Sequence, residues 1–66
     1  MSDVYRVEYY KETVLISTVE QEHRLSVIIK IAQDGMTRTR ADFARIIDVD
    51  GSGAEVWSGR NDDKRA

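Results

Sequence analysis

The chain has 66 residues, of which 41% are hydrophobic and 33% charged, and its net charge is −2. This composition is ordinary for one small soluble domain, and the slight acidic excess argues against a domain that binds nucleic acid by electrostatic attraction. The absence of Cys excludes a disulfide framework and thiolate metal sites, and it fits a cytoplasmic protein.

The N-terminal third of the chain predicts β-strands. Apolar and polar residues alternate from Tyr5 to Tyr9, which is the period of a half-buried strand. Lys11-Glu12 interrupts the pattern, and β-branched residues resume over 13–19. We expect two strands joined by a tight turn, or one long strand with a bulge. Tyr5 and Tyr9 then share the face that packs on a helix, and Tyr10 lies on the opposite face.

Residues 21–34 fit either a helix or a strand. Their apolar residues follow helical spacing but also alternate as in a strand. We favour the helix because polar residues 20–24 precede the segment and Gly35 follows it in the position of a C-cap. The helical face would contain Leu25, Ile28, Ile29 and Ala32.

The segment Asp48-Val-Asp-Gly-Ser-Gly53 allows a first interpretation as a calcium loop. Asp48, Asp50 and Ser52 stand at the first, third and fifth ligand positions of an EF-hand. The twelfth position, which needs a bidentate Glu, is Gly59, so the set of ligands is incomplete. We therefore expect no metal and no other cofactor.

A second interpretation makes residues 39–60 a helix-turn-helix unit of a small DNA-binding regulator. Gly51 and Gly53 would then lie in the turn and the recognition helix, where each glycine costs about 1 kcal/mol. That helix would carry Glu55 and no Arg, Asn or Gln to read bases. This regulator remains the alternative function, with phosphate contacts from Arg38, Arg40, Arg45 and Arg60.

The third and favoured interpretation is a β-hairpin. Apolar and polar residues alternate over 43–49 and again over 54–58, and a glycine-rich turn, 50–53, separates the two runs. An Asp-Gly pair between alternating runs is a strong hairpin signal, because glycine readily adopts positive φ. The polar residues 60–66 predict a frayed tail.

These elements predict a single α+β domain over 1–66, with a small antiparallel four-stranded sheet and one helix packed on a face, in the order ββαββ. We expect no enzyme, because His23 is the only histidine and no serine has the context of a nucleophile. Met1-Ser2-Asp3 starts no apolar run and no stretch is long enough to span a bilayer, so neither a signal peptide nor a membrane partner is expected. An unpaired edge strand would allow a homodimer.

The expected function is therefore binding to another protein. An exposed tyrosine beside acidic residues is a typical interface anchor, and acidic residues suit a basic groove on a partner. The candidate partner-binding residues are Tyr10, Asp48, Asp50 and Glu55.

The stretch from Val19 to Gly35 resembles the strand-to-helix passage of very small proteins from phages and mobile elements. These include anti-CRISPR proteins built as a sheet with one helix. The resemblance is one of architecture and size over residues 4–58. It implies a stoichiometric inhibitor that docks on a host defence complex and blocks nucleic-acid access or nuclease recruitment.

Overall fold

A computed structural model of the protein describes residues 3–61 and contains four strands and one helix. The strands form one antiparallel sheet in the order β2-β1-β3-β4, and the helix packs on one face of it. This arrangement confirms the predicted α+β fold in the order ββαββ. Within residues 3–61, no helix is long and apolar enough to cross a membrane. The elements are β1 (Asp3–Lys11), β2 (Val14–His23), α1 (Leu25–Thr39), β3 (Phe43–Asp48) and β4 (Glu55–Arg60).

The first hairpin joins β1 to β2 through a two-residue turn. Glu12 and Thr13 both have positive φ, 52° and 68°, as the turns that match the twist of a hairpin require. The predicted tight turn is therefore confirmed. The hairpin also contains a bulge, because Tyr9 pairs with Ser17 and Tyr10 pairs with Leu15, which leaves Ile16 unmatched.

The strand β2 is longer than the sequence pattern indicated. It runs to His23, and its last residues pair with the start of β1. The polar residues 20–24 precede the helix, as expected, because α1 begins at Leu25. Of the segment 21–34, however, residues 21–23 belong to β2, since pairing with β1 satisfies the backbone groups of this polar stretch.

The helix α1 is confirmed over the alternative strand, but it does not end at Gly35. It continues to Thr39 and ends at Arg40, which has a φ of 62°. The predicted C-cap at Gly35 is wrong, and the reason lies in the sheet. A Cβ atom on Gly35 would overlap the ring and hydroxyl of Tyr9, so the glycine allows α1 to approach β1 closely.

The core lies between α1 and the two central strands. Tyr5 and Tyr9 both belong to it, as predicted, and the Tyr9 hydroxyl donates a hydrogen bond to the carbonyl of Ile31 at 3.3 Å. Trp57 is half-buried and packs against the core from β4. The most completely buried residues are Val7, Ile28, Ala32, Ala44 and Ile46.

The second hairpin, β3–β4, confirms the hairpin interpretation of 43–58. Because β3 and β4 are strands, the helix-turn-helix interpretation of 39–60 is wrong. Asp48 organises the turn: its carbonyl accepts a hydrogen bond from Gly53 N–H at 2.8 Å and its carboxylate accepts one from Gly51 N–H at 3.0 Å. A bulge at Val56 separates the pair Ile46–Trp57 from the pair Ile47–Glu55.

The sequence predicted a frayed tail from residue 60 onward. Arg60 is instead the last residue of β4, and the backbone N–H of Asn61 donates a hydrogen bond to the carbonyl of Asp42 at 3.0 Å. The rest of that predicted tail, 62–66, lies outside the described residues.

Candidate binding surface

The sheet face opposite α1 is covered by no other described element, and we call it the open face. Alternate residues of a strand point to opposite faces, so the residues between the core positions lie on it. Strand register aligns four of these residues across the sheet, since Tyr10 pairs with both Leu15 and Phe43, and Phe43 pairs with Arg60. Three of the four are apolar or aromatic, and we call this set, Leu15, Tyr10 and Phe43, the aromatic row.

Beside the aromatic row, ion pairs connect all four strands, and we call this set the ion-pair ladder. Glu8 on β1 is at its centre and accepts hydrogen bonds from Arg45 Nε at 2.7 Å and from Arg6 Nε at 3.1 Å. The outer contacts are longer: Arg6 lies 3.7 Å from Glu20 and Arg45 lies 3.7 Å from Glu55. The ladder fixes the side chains of the two arginines in the middle of the open face.

Glu8 is buried, with 8% of the residue exposed. Burial alone would raise the pKa of its carboxyl, but hydrogen bonds from Arg45 and Tyr10 and the charges of both arginines of the ladder outweigh it. The pKa of Glu8 is therefore lowered from the ordinary value of a glutamate. Glu8 thus remains ionised beneath the guanidinium groups at neutral pH.

Tyr10 contacts the ladder and the aromatic row at the same time. Its hydroxyl donates a hydrogen bond to Glu8 Oε1 at 2.8 Å, and this bond, together with burial and the charge of Glu8, raises the pKa of Tyr10. The guanidinium carbon of Arg45 lies 5.7 Å from the centre of the Tyr10 ring, within the range of a cation–π contact. The rings of Tyr10 and Phe43 are 5.8 Å apart and tilted by 54°, an arrangement that aromatic pairs favour.

Tyr10 and Phe43 of the aromatic row, with Arg45 and Glu55 of the ladder, border an open cavity of about 710 Å³. The first turn contributes to its rim, since the backbone N–H of Glu12 donates a hydrogen bond to the carboxylate of Asp42 at 3.2 Å. The cavity therefore combines an aromatic floor with charged edges, the mixture found in binding sites. It is lined by Tyr10, Glu12, Thr13, Asp42, Phe43, Arg45, Glu55, Arg60 and Asn61.

The four predicted partner-binding residues fall into two groups. Tyr10 and Glu55 line the same cavity, and Arg45 contacts both of them. Asp48 and Asp50 lie in the second hairpin turn, where Asp48 accepts hydrogen bonds that hold the turn together. Glu55 pairs with Ile47 on the open face, and Asp48 follows Ile47 on the opposite face. The predicted acidic residues Asp48 and Glu55 thus lie on opposite faces of the sheet.

Two kinds of group bear on the chemistry of the surface: side chains that could bind a metal or titrate near neutral pH, and the charged groups of the ladder. Among residues 3–61, no group of three or more His, Cys, Asp or Glu side chains could hold a metal ion. His23 is exposed at the end of β2, where it pairs with Asp3, and it does not line the cavity. The ionised groups of the ladder contact one another, so they are held in place as a fixed pattern of charge.

Glu8, Arg45 and Phe43 belong to the surface but were not predicted as partner-binding residues. The alternation over 5–10 was sufficient to place Glu8 on the same face as Tyr10. Phe43 and Arg45 join them only because β3 pairs with β1 in one particular register. No local pattern specifies that register.

Comparison with known proteins finds no family model, no curated protein and no solved structure that matches this chain.

Proposed function

We propose that this protein is a non-catalytic module that binds another protein through the aromatic row and the adjoining cavity of its open face. The observation that carries the proposal is the placement of Tyr10 and Phe43 side by side over a cavity, next to charged side chains that the ladder holds fixed. Preorganised side chains lose little conformational freedom on binding, and aromatic residues with arginine dominate the energy of many protein interfaces.

One exposed apolar side chain, that of Leu15, supports the same surface. Leu15 is 48% exposed and extends the aromatic row onto β2. In an interface, an apolar centre with a polar rim excludes water from the charged contacts around it. The aromatic row and the ladder have this arrangement on a single face.

A more specific form of the proposal names the partner class. The resemblance in architecture to sheet-plus-one-helix anti-CRISPR proteins suggests a stoichiometric inhibitor that docks on a host CRISPR-Cas complex. Purified effector complexes, each assayed for target cleavage with and without the protein, provide its test. Loss of cleavage at a one-to-one ratio is the expected result, and full cleavage at a large excess of the protein would limit the proposal to its general form.

The binding surface is tested with two matched variants. Leu15→Glu places a carboxylate in the aromatic row. Val49→Glu introduces a carboxylate at a residue of similar exposure, 39%, which is hydrogen-bonded to Val4 near the opposite end of the sheet. Both side chains are exposed in the folded protein, so neither substitution removes core packing.

Tagged wild-type protein and both variants are used to capture partners from bacterial lysates. Captured proteins are then purified, and light scattering measures the mass of each complex. We expect wild type and Val49→Glu to bind the same partner and Leu15→Glu to lose it. Equal capture by all three proteins, or loss only with Val49→Glu, would assign binding to another surface.

A further inference from the structure

We infer that the partner presents a basic side chain, Arg or Lys, next to an apolar residue, and that this segment docks at the aromatic row beside the carboxylates of Glu12 and Asp42. The inference rests on the proposed function and adds the chemistry of the partner. It depends on two observations at one end of the open face: an uncovered apolar row and an excess of negative charge.

The charge excess follows from the ion pairs. The ladder contains three glutamates and two arginines, which leaves one negative charge. Arg45 and Glu55 of the ladder also line the cavity. Of the remaining charged residues in its lining, Glu12 and Asp42 are acidic and Arg60 is basic, which leaves a second negative charge. Among residues 3–61, no basic side chain forms an ion pair with Glu12 or Asp42, so within this part of the chain neither carboxylate is already paired with a cation.

The Asp42 carboxylate is held close to the backbone of Glu12 and to the row. The hydrogen bond from Glu12 N–H to the Asp42 carboxylate joins the first turn to the residue before β3. Asp42 N–H donates to the carbonyl of Tyr10 at 3.0 Å, which fixes Asp42 beside the aromatic row. A cation placed there would meet the carboxylates while its aliphatic stem lies on the rings.

The same pattern disfavours a nucleic acid. Bases would stack on Tyr10 and Phe43, but phosphates would then have to approach Glu12 and Asp42. Phosphate binding draws on basic side chains, and Arg45, the guanidinium nearest to the Tyr10 ring, is already paired with Glu8.

The experiment uses NMR of the full chain and three capped peptides of the form Gly-Leu-X-Leu-Gly, in which X is arginine, its neutral analogue citrulline, or glutamate. We expect saturable shifts of the amides of Tyr10, Thr13 and Phe43. The arginine peptide should bind at least about tenfold more tightly than the citrulline peptide.

The variant Glu12→Gln with Asp42→Asn should bind the arginine peptide no more tightly than the citrulline peptide. The side-chain amide introduced by Asp42→Asn keeps an oxygen that can accept the hydrogen bond from the backbone of residue 12, so the turn is retained. The control with the same two types of substitution is Glu22→Gln with Asp34→Asn, two exposed positions outside the cavity, and it should bind like wild type.

Equal affinity for the arginine and citrulline peptides, or preference for the glutamate peptide, would overturn the inference and leave the proposed protein-binding surface in place. Loss of binding in the Glu22/Asp34 control alone would overturn it too. A single-stranded oligonucleotide that shifts these amides and binds with higher affinity than the arginine peptide would assign the row to nucleic acid. Shifts that depend on protein concentration alone would assign it to a second copy of the chain.

Discussion

Glu8 is an ionised residue buried on the one sheet face that no helix covers. Its neighbours provide that cover, since the side chains of Arg6, Arg45 and Tyr10 lie against it and each donates it a hydrogen bond. A buried carboxylate with several charged donors is stable only while they remain, because an unpaired buried charge is costly. Glu8 thereby links the stability of the sheet to the geometry of the binding surface.

Glu8→Gln should lower the free energy of unfolding by about 1–3 kcal/mol, since the neutral amide keeps the shape of the side chain but loses charge-assisted hydrogen bonds. Urea denaturation measures this change. Glu22→Gln, at an exposed position of β2, is the control and should change stability by less than about 0.5 kcal/mol. Equal effects of the two substitutions would show that the ladder does not stabilise the fold.

The lowered pKa of Glu8 predicts a loss of stability in acid. A carboxyl group whose pKa is lower in the folded state stabilises the protein above its unfolded pKa, about 4.3 for Glu, and this contribution disappears as the pH falls through the folded value. The difference in unfolding free energy between wild type and Glu8→Gln should therefore have its largest value at neutral pH and decrease below about pH 4. A difference that is constant with pH would contradict the assignment.

At the scale of the elements, the contact of α1 with β1 explains a glycine in the interior of a helix. Glycine there usually costs about 1 kcal/mol relative to alanine. Tyr9, which is 2% exposed, cannot move aside to make room for a Cβ atom on Gly35. Close packing of α1 on the sheet is thus the reason for the glycine.

Gly35→Ala should destabilise the protein by about 1–3 kcal/mol, because the free-energy cost of overpacking against Tyr9 exceeds the gain from the higher helix propensity of alanine. Thermal or urea denaturation followed by circular dichroism measures it. Thr37→Ala, at an exposed position of the same helix, should leave stability nearly unchanged or raise it slightly.

A double-mutant cycle separates the overlap from other effects. In a Tyr9→Leu background, which is itself destabilised, Gly35→Ala should be neutral or stabilising because the ring and hydroxyl are gone. A cost of Gly35→Ala that is the same in both backgrounds would mean that Tyr9 is not the cause.

The elements differ in how far the sequence alone predicts them. Alternation from Tyr5 to Tyr9 and the Asp-Gly turn were sufficient for the strands and the second hairpin, since both signals are local. The helix end was wrong because Gly35 is a common cap residue, and the ring that requires it lies 26 positions earlier in the chain. Of the candidate site, Tyr10 and Glu55 could be selected as an aromatic residue on the face opposite the core and an acid, although Tyr10, predicted to be exposed, is half-buried. Their connection through Arg45 depends on strand pairing.

On the scale of the whole molecule, both edges of the sheet carry a bulge, at Ile16 in β2 and at Val56 in β4. Bulges on edge strands hinder pairing with another sheet. The homodimer through an edge strand that the sequence allowed would have to form at one of these edges. We therefore expect a monomer in sedimentation velocity across a wide range of concentrations.

Because the chain has no Cys, single variants Ile16→Cys and Val56→Cys provide a direct check of the two edges. Disulfide-linked dimers that form rapidly with one variant and not with the other, together with sedimentation as a dimer, would contradict the monomer and identify the paired edge. A slow, equal reaction of both thiols is expected from random collision.

The position of β1 between β2 and β3 has a consequence for the order in which the protein is synthesised and folds. Of the four described strands, the first to be synthesised is a central one, and its partner β3 begins at Phe43. Until then only the β1–β2 hairpin can form, and a two-stranded hairpin is marginally stable in water. The helix α1 packs on β1 and β3, so before β3 is synthesised it lacks part of the surface that it packs on. We therefore expect the growing chain to stay largely unfolded until the β3–β4 hairpin is complete, and the sheet then to close in one cooperative step.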